Sequence, residues 1–305
     1  MNIVINLIKL PNVPFQTIDA LFEPFDLGFV QRALFGGALV AVLCGVVGTW
    51  VVIRGMAFLG EALAHGMLPG VALATVLGVP VMIGGALSAV AMSLGITALQ
   101  RRGTLSYDTS IGMLFVSMLA LGVIVISHSG SFATDATSIL FGDILAISHT
   151  DLYLLAGAAA LGVAVAALFH RPLAAVALDP RIASVLGLGP RSAQAVLVAL
   201  VTLAVVASYQ AVGSLLVVGL LLAPAVAAGQ WTTRIPTRML VAAVLGVLSV
   251  FGGLLISWHA ATAAGASVAA TAIAVSGLSY AIRSAVTAIH PRSTSPERNT
   301  CAPAS

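Results

Sequence analysis

The chain has 305 residues, of which 60% are hydrophobic and 8% charged, and its net charge is +3 at neutral pH. A water-soluble domain of this length needs a more polar surface, and apolar runs near 20 residues recur along the chain as membrane-spanning helices do. The runs are continuous rather than alternating, which excludes a transmembrane barrel, and the small net charge gives no footing for a nucleic-acid partner.

Taken in chain order, the first element is "MNIVINLIKLPNVPF". Its apolar part is short, Lys9 follows it rather than leads it, and prolines interrupt it, so it does not read as a signal peptide. Residues 1–28 are expected to be an external or interfacial segment. Nine crossings follow, at 29–53, 56–77, 80–100, 109–127, 151–169, 192–210, 213–230, 238–257 and 264–283. The expected fold is all-α, a polytopic membrane helical bundle forming one transmembrane domain over 29–283. Residues 284–305 read as a disordered tail.

The second crossing contains "MAFLGEALAHGMLPGVA" (56–72). Glu61 and His65 stand four residues apart and therefore share one helix face. A titratable group in hydrocarbon is costly unless it is paired or wet. A carboxylate and an imidazole suit a borderline divalent cation; a Glu–His pair that only holds helices together fits the same spacing. Both readings stand at this point, and two ligands do not close a site. Gly60, Gly66 and Gly70 favour close helix packing. Pro69, in the middle of the run, frees a carbonyl that needs another partner.

The outer loop 127–151 gathers Asp135, Asp143, Asp151, His128 and His149, and His259 falls at a later outer turn. Between the fifth and sixth crossings, 170–191 reads "HRPLAAVALDPRIASVLGLGPR". Asp179 and Pro180 make an N-cap with proline at the first helical position. Ile182, Val185 and Leu186 then share a face, and Gly187 stops the helix. Such a face docks on a partner or packs against the chain's own helices. Beyond it, Gln210 and Gly213 mark a turn and Pro224 lies inside a crossing, where a plain helical hairpin suffices.

Charge sets the orientation. Eleven arginines (54, 101, 102, 171, 181, 191, 234, 238, 283, 292 and 298) fall in odd-numbered loops or the tail, against Lys9 and Arg32 on the other side. Those loops and the C-terminus are therefore expected in the cytoplasm. Cys44 and Cys301 form no disulfide framework or metal motif.

Four blocks in order give a resemblance: "MAFLGEALAHGMLPGVA", "DTSIGMLF" (108–115), "ILFGDILAISHTDL" (139–152), and "ALDPRIASVLGLG" followed by "AVGSLLVVGLLLAPA". Over residues 30–283 the chain resembles the permease subunits of metal-uptake ABC transporters of the ABC-3 type, which serve zinc, manganese and iron. The resemblance implies a multi-pass protein of a prokaryotic plasma membrane, working as a homodimer in the bilayer. Its implied partners are a cytoplasmic ATPase subunit and an extracytoplasmic metal-binding protein. Asp179, Pro180, Ile182, Val185, Leu186 and Gly187 would belong to the segment (170–191) coupled to the ATPase. Glu61 and His65 would be transient ligands on the metal path, with glutamate where the family usually has aspartate. Another acidic position of the family aligns with Ala261, and a proline position with Ala263.

No G-x-x-x-x-G-K-[ST] loop is present, and Lys9 is the chain's only lysine, so nucleotide hydrolysis is expected on a separate subunit and this chain is not itself an enzyme. The expected function is ATP-driven import of a divalent metal by alternating access, zinc first, with manganese or iron as the alternative cargo. No permanently bound cofactor is expected, only the transported cation. A proton-coupled secondary transporter using Glu61 without an ATPase is the rival from another class.

Overall fold

A bilayer offers no water to backbone amides, so a spanning segment bonds its own N–H and C=O groups as a helix. The computed structural model describes residues 23–101, 106–129 and 144–289, and among them every regular element is helical. Lys9 and most of the 1–28 segment, Arg102, Asp135, Asp143, Arg292, Arg298, Cys301 and most of the tail lie outside the described residues, as do the side chains of Arg101, His128, Pro180, Ile182 and Gln210.

After a short 3-10 turn at Glu23–Asp26 the helices are α1 (Gly28–Ile53), α2 (Phe58–Gly66), α3 (Leu68–Leu77), α4 (Val81–Arg101), α5 (Tyr107–Ser129), α6 (His149–Leu168), α7 (His170–Leu178), α8 (Pro180–Val185), α9 (Pro190–Val212), α10 (Ser214–Trp231), α11 (Ile235–Ala260) and α12 (Ala264–Ile289). A second 3-10 turn, Ile144–Ala146, precedes α6. Eight helices among the described residues are long and apolar enough to cross a membrane, with α2 and α3 together as one span, and Leu216–Trp231 in α10 is a shorter apolar helix. The nine expected crossings each find a helix, the seventh in this shorter form.

The first helix is the centre of the bundle. The apolar window of α1 is 67% buried, against 17% for that of α5. It packs on α6, α9, α10 and α11. Its inner face carries small residues, which lets backbones approach. A Cβ on Gly48 would overlap the Leu221 carbonyl of α10, and one on Gly45 would lie 2.6 Å from the Ala243 amide nitrogen of α11. Trp50, Leu43 and Val47 fill the spaces between these contacts.

The span expected at 56–77 is two helices joined at Met67. Pro69 therefore sits in the first turn of α3, where a missing amide costs least, rather than inside one continuous helix. A backbone carbonyl at the break still needs a donor, and Ser88 of α4 supplies it: its hydroxyl donates to the Gly66 carbonyl at 2.7 Å. Next to this bond, Gly70 and Gly84 meet so closely that a Cβ on either would overlap the other's carbonyl oxygen. Pro224, by contrast, lies within the uninterrupted α10, and Gly213 (φ +77°) makes the turn from α9 into α10.

Candidate functional site

Nine residues form α2, and they divide by face. Leu59, Ala62, Leu63 and Ala64 are buried in the bundle. Phe58, Glu61 and His65, at i, i+3 and i+7, point the other way. Glu61 Oε1 and His65 Nε2 lie 2.8 Å apart, and the two side chains are 41% and 24% exposed respectively. Phe115 of α5 closes one flank, edge-on to His65 at 5.8 Å between centroids and to Phe58 at 5.3 Å. The structure thus brings together the two residues that sequence spacing paired. It adds Phe115, which ends the "DTSIGMLF" block but carries no polar group to mark it.

The pair belongs to an apolar span yet is only partly covered by its own chain. Exposure of a carboxylate and an imidazole to lipid is costly, so this face belongs against water or another protein chain. The two donor atoms lie slightly closer together than one cation would hold them. Metal–ligand bonds near 2.1 Å at right-angle or tetrahedral geometry place neighbouring donors roughly 3–3.4 Å apart. A cation can therefore replace the Glu61–His65 hydrogen bond with little side-chain movement. Among the described residues no three His, Cys, Asp or Glu side chains cluster as a metal site. A cation held by this pair would need further ligands from beyond it.

The polar residues expected at the outer turns have other local roles. Asp151 and Ser148 form a capping box on α6, with the Ser148 amide donating to Asp151 Oδ2 at 3.0 Å and the Asp151 amide to Ser148 Oγ at 3.2 Å. His259 Nδ1 lies 2.9 Å from the Leu255 carbonyl of its own helix and joins no cluster with Glu61 and His65. Ala261 caps α11 in the left-handed region at φ +50°. It and Ala263 bring no ligand.

The 170–191 segment contains the expected short helix as α8. Asp179 Oδ1 accepts the Arg181 amide at 2.7 Å as its N-cap. Gly187 (φ +68°) ends it, with the Leu188 amide returning to the Ala183 carbonyl at 3.0 Å. Ala183 is buried, but Val185 is 86% and Leu186 62% exposed. Packing on the chain's own helices therefore does not account for Val185 and Leu186. A second helix here, α7, was not anticipated. Pro172 in its first turn reads as a breaker but is tolerated there, and Leu173 and Val176 anchor it in the bundle.

Residues 26–283 match the model of the ABC 3 transport family. The chain is 34% identical over 252 residues to the manganese transport system membrane protein MntC of Halalkalibacterium halodurans, covering 83% of this chain and 86% of that one. It is 35% identical over 257 residues to the manganese import system permease protein ScaB of Streptococcus gordonii, covering 84% and 92%. Among solved structures, PsaBC from Streptococcus pneumoniae in complex with Fab matches with a TM-score of 0.75 at 30% identity, over 87% of this chain and 95% of that one.

Proposed function

The chain belongs to the ABC 3 transport family, and from that membership we propose that it is the permease subunit of an ATP-driven importer whose cargo is manganese or ferrous iron. Zinc, expected first from the sequence, gives way because the relatives are named for manganese, and another, 31% identical, is named a probable iron transport system membrane protein of Haemophilus influenzae. A carboxylate oxygen beside an imidazole suits both cations.

The observation that carries the reading is the half-open Glu61–His65 pair within an apolar span. Two copies facing each other across this surface would enclose a path and double the ligand set to two carboxylates and two imidazoles. Such a site binds a passing ion without caging it, as transport requires. An extracytoplasmic metal-binding protein delivers the ion. A cytoplasmic ATPase docks on the exposed Val185–Leu186 face of α8 and drives alternation between outward and inward access.

Uptake of radiolabelled manganese by vesicles holding this chain with its ATPase subunit tests the proposal. Uptake is expected to require ATP and to be competed by ferrous iron. Glu61→Gln and His65→Ala remove ligands themselves, so each is expected to cost more than the roughly 10-fold that losing a ligand's supporting partner costs. ATP-independent uptake by this chain alone would instead favour a secondary transporter.

A further inference from the structure

Position 180 is a proline, and proline has no amide hydrogen. Four residues before it, the Val176 carbonyl in the last turn of α7 therefore has no helical donor. The Arg54 guanidinium takes that place: Nη1 donates to the Val176 carbonyl, and Nη2 donates to Gln194 Oε1 near the start of α9. Gln194 Nε2 in turn donates to Gln100 Oε1 at the end of α4, at 3.3 Å. Arg54, Gln100, Val176 and Gln194 also line a cavity of about 190 Å³, which leaves the joint room to move.

Arg54 is itself held from behind. It caps α1, and Gly55 (φ +65°) turns the chain so that the Gly55 amide bonds the Val52 carbonyl at 3.1 Å and the Met56 amide bonds Val51 at 2.9 Å. The Leu59 amide then bonds the Met56 carbonyl at 3.0 Å, inside the first turn of α2. A link thus runs from α7 through the Arg54 side chain and along the three-residue backbone of Arg54–Met56 to the helix that carries Glu61 and His65, with the turn braced on the end of α1. Burial pulls the Arg54 guanidinium below its ordinary pKa, an effect that the nearby Tyr107 opposes. Among the described residues it pairs with no carboxylate. Both of its acceptors are neutral groups, which can be exchanged during a movement more readily than an ion pair.

We infer that Arg54 is the positioning residue that transmits movement of the α7–α8 segment to the metal-bearing helix. The inference rests on the proposed reading of α8 as the ATPase-docking element and of Glu61–His65 as the transit site, and it deepens that reading by naming the link between them.

The test measures manganese uptake and ATP hydrolysis together in vesicles holding the whole complex, first with the unaltered chain. An unaltered complex that moves no ion defeats the transport proposal, and the inference with it, before any variant is made. Given uptake, Arg54→Gln is expected to lower the ions moved per ATP by about fivefold or more, the effect of losing one or two charge-assisted hydrogen bonds. Hydrolysis should persist and the apparent KM for manganese should stay within about twofold, because both ligands are intact. Arg54→Lys, which keeps a donor for Val176, should recover part of the ratio. Gln194→Met, which removes only the second anchor, should lower it less, and these two variants decide the matter should Arg54→Gln yield no complex. Uptake and hydrolysis falling in step at a constant ratio, or an unaltered ratio, overturns the inference.

Discussion

Gly48 shows how much a single hydrogen atom in place of a methyl group governs here. Lipid tails give helices no hydrophobic reason to associate, so close packing between small residues supplies much of the attraction. A Cβ at Gly48 would overlap a backbone carbonyl of α10, and a backbone cannot rotate away as a side chain can. Gly48→Ala is therefore expected to destabilise the bundle by about 1–3 kcal/mol, the usual cost of overpacking. Gly157 has nothing within 4 Å of a built Cβ, and Gly157→Ala should be neutral or slightly stabilising. Thermal unfolding in detergent micelles checks the contrast, and equal losses would contradict it. The sequence does not separate these two glycines, since each sits in an apolar helix. Glu61 and His65 differ in this respect. Their spacing alone put both on one face, whereas their half-exposure depends on which neighbours pack beside α2.

At the scale of the element, the spans were readable because a bilayer imposes one length and one backbone solution on every crossing. Pro69 is legible as a disturbance in the second, but the bond that braces the break comes from Ser88, which lies 22 residues from the Gly66 carbonyl it bonds. No local pattern announces that pairing. Ser88→Ala leaves the carbonyl without its donor and is expected to cost about 1 kcal/mol, typical of a hydrogen bond between membrane helices. Because Gly66 adjoins His65, the variant should also slow manganese uptake, by less than removal of His65 itself. Unfolding and uptake measured side by side test this, and no change in either would show that the break at Met67 does not need the bond. The helix α7 was hidden for the opposite reason. Proline at 172 is a breaker in a helix interior and acceptable in a first turn, and which applies is decided by where the preceding span stops.

For the whole molecule, the remaining question is orientation, on which charge and connectivity together make one prediction. Successive spans alternate in direction, so Arg54, Arg171, Arg181, Arg191, Arg234, Arg238 and Arg283 come to one end of the bundle. Arg32 lies at the other, where its Nε donates to the Ile147 carbonyl at 3.0 Å. Positive charge is retained in the cytoplasm, so the prediction is that α8 and its exposed Val185 face the inside of the cell. His259, one span away from that end, should then be outside. A thiol placed by Val185→Cys is therefore expected to react with a membrane-impermeant maleimide in inside-out vesicles and not in intact cells, and one placed by His259→Cys should behave in the opposite way. Cys44 is fully buried and should not interfere, so Cys301→Ser gives the background needed. If α8 is the docking element proposed above, adding the ATPase subunit should protect the thiol at 185 and leave the one at 259 reactive. Labelling of position 185 from outside intact cells would invert the topology, and it would remove α8 from reach of any enzyme that hydrolyses ATP in the cytoplasm.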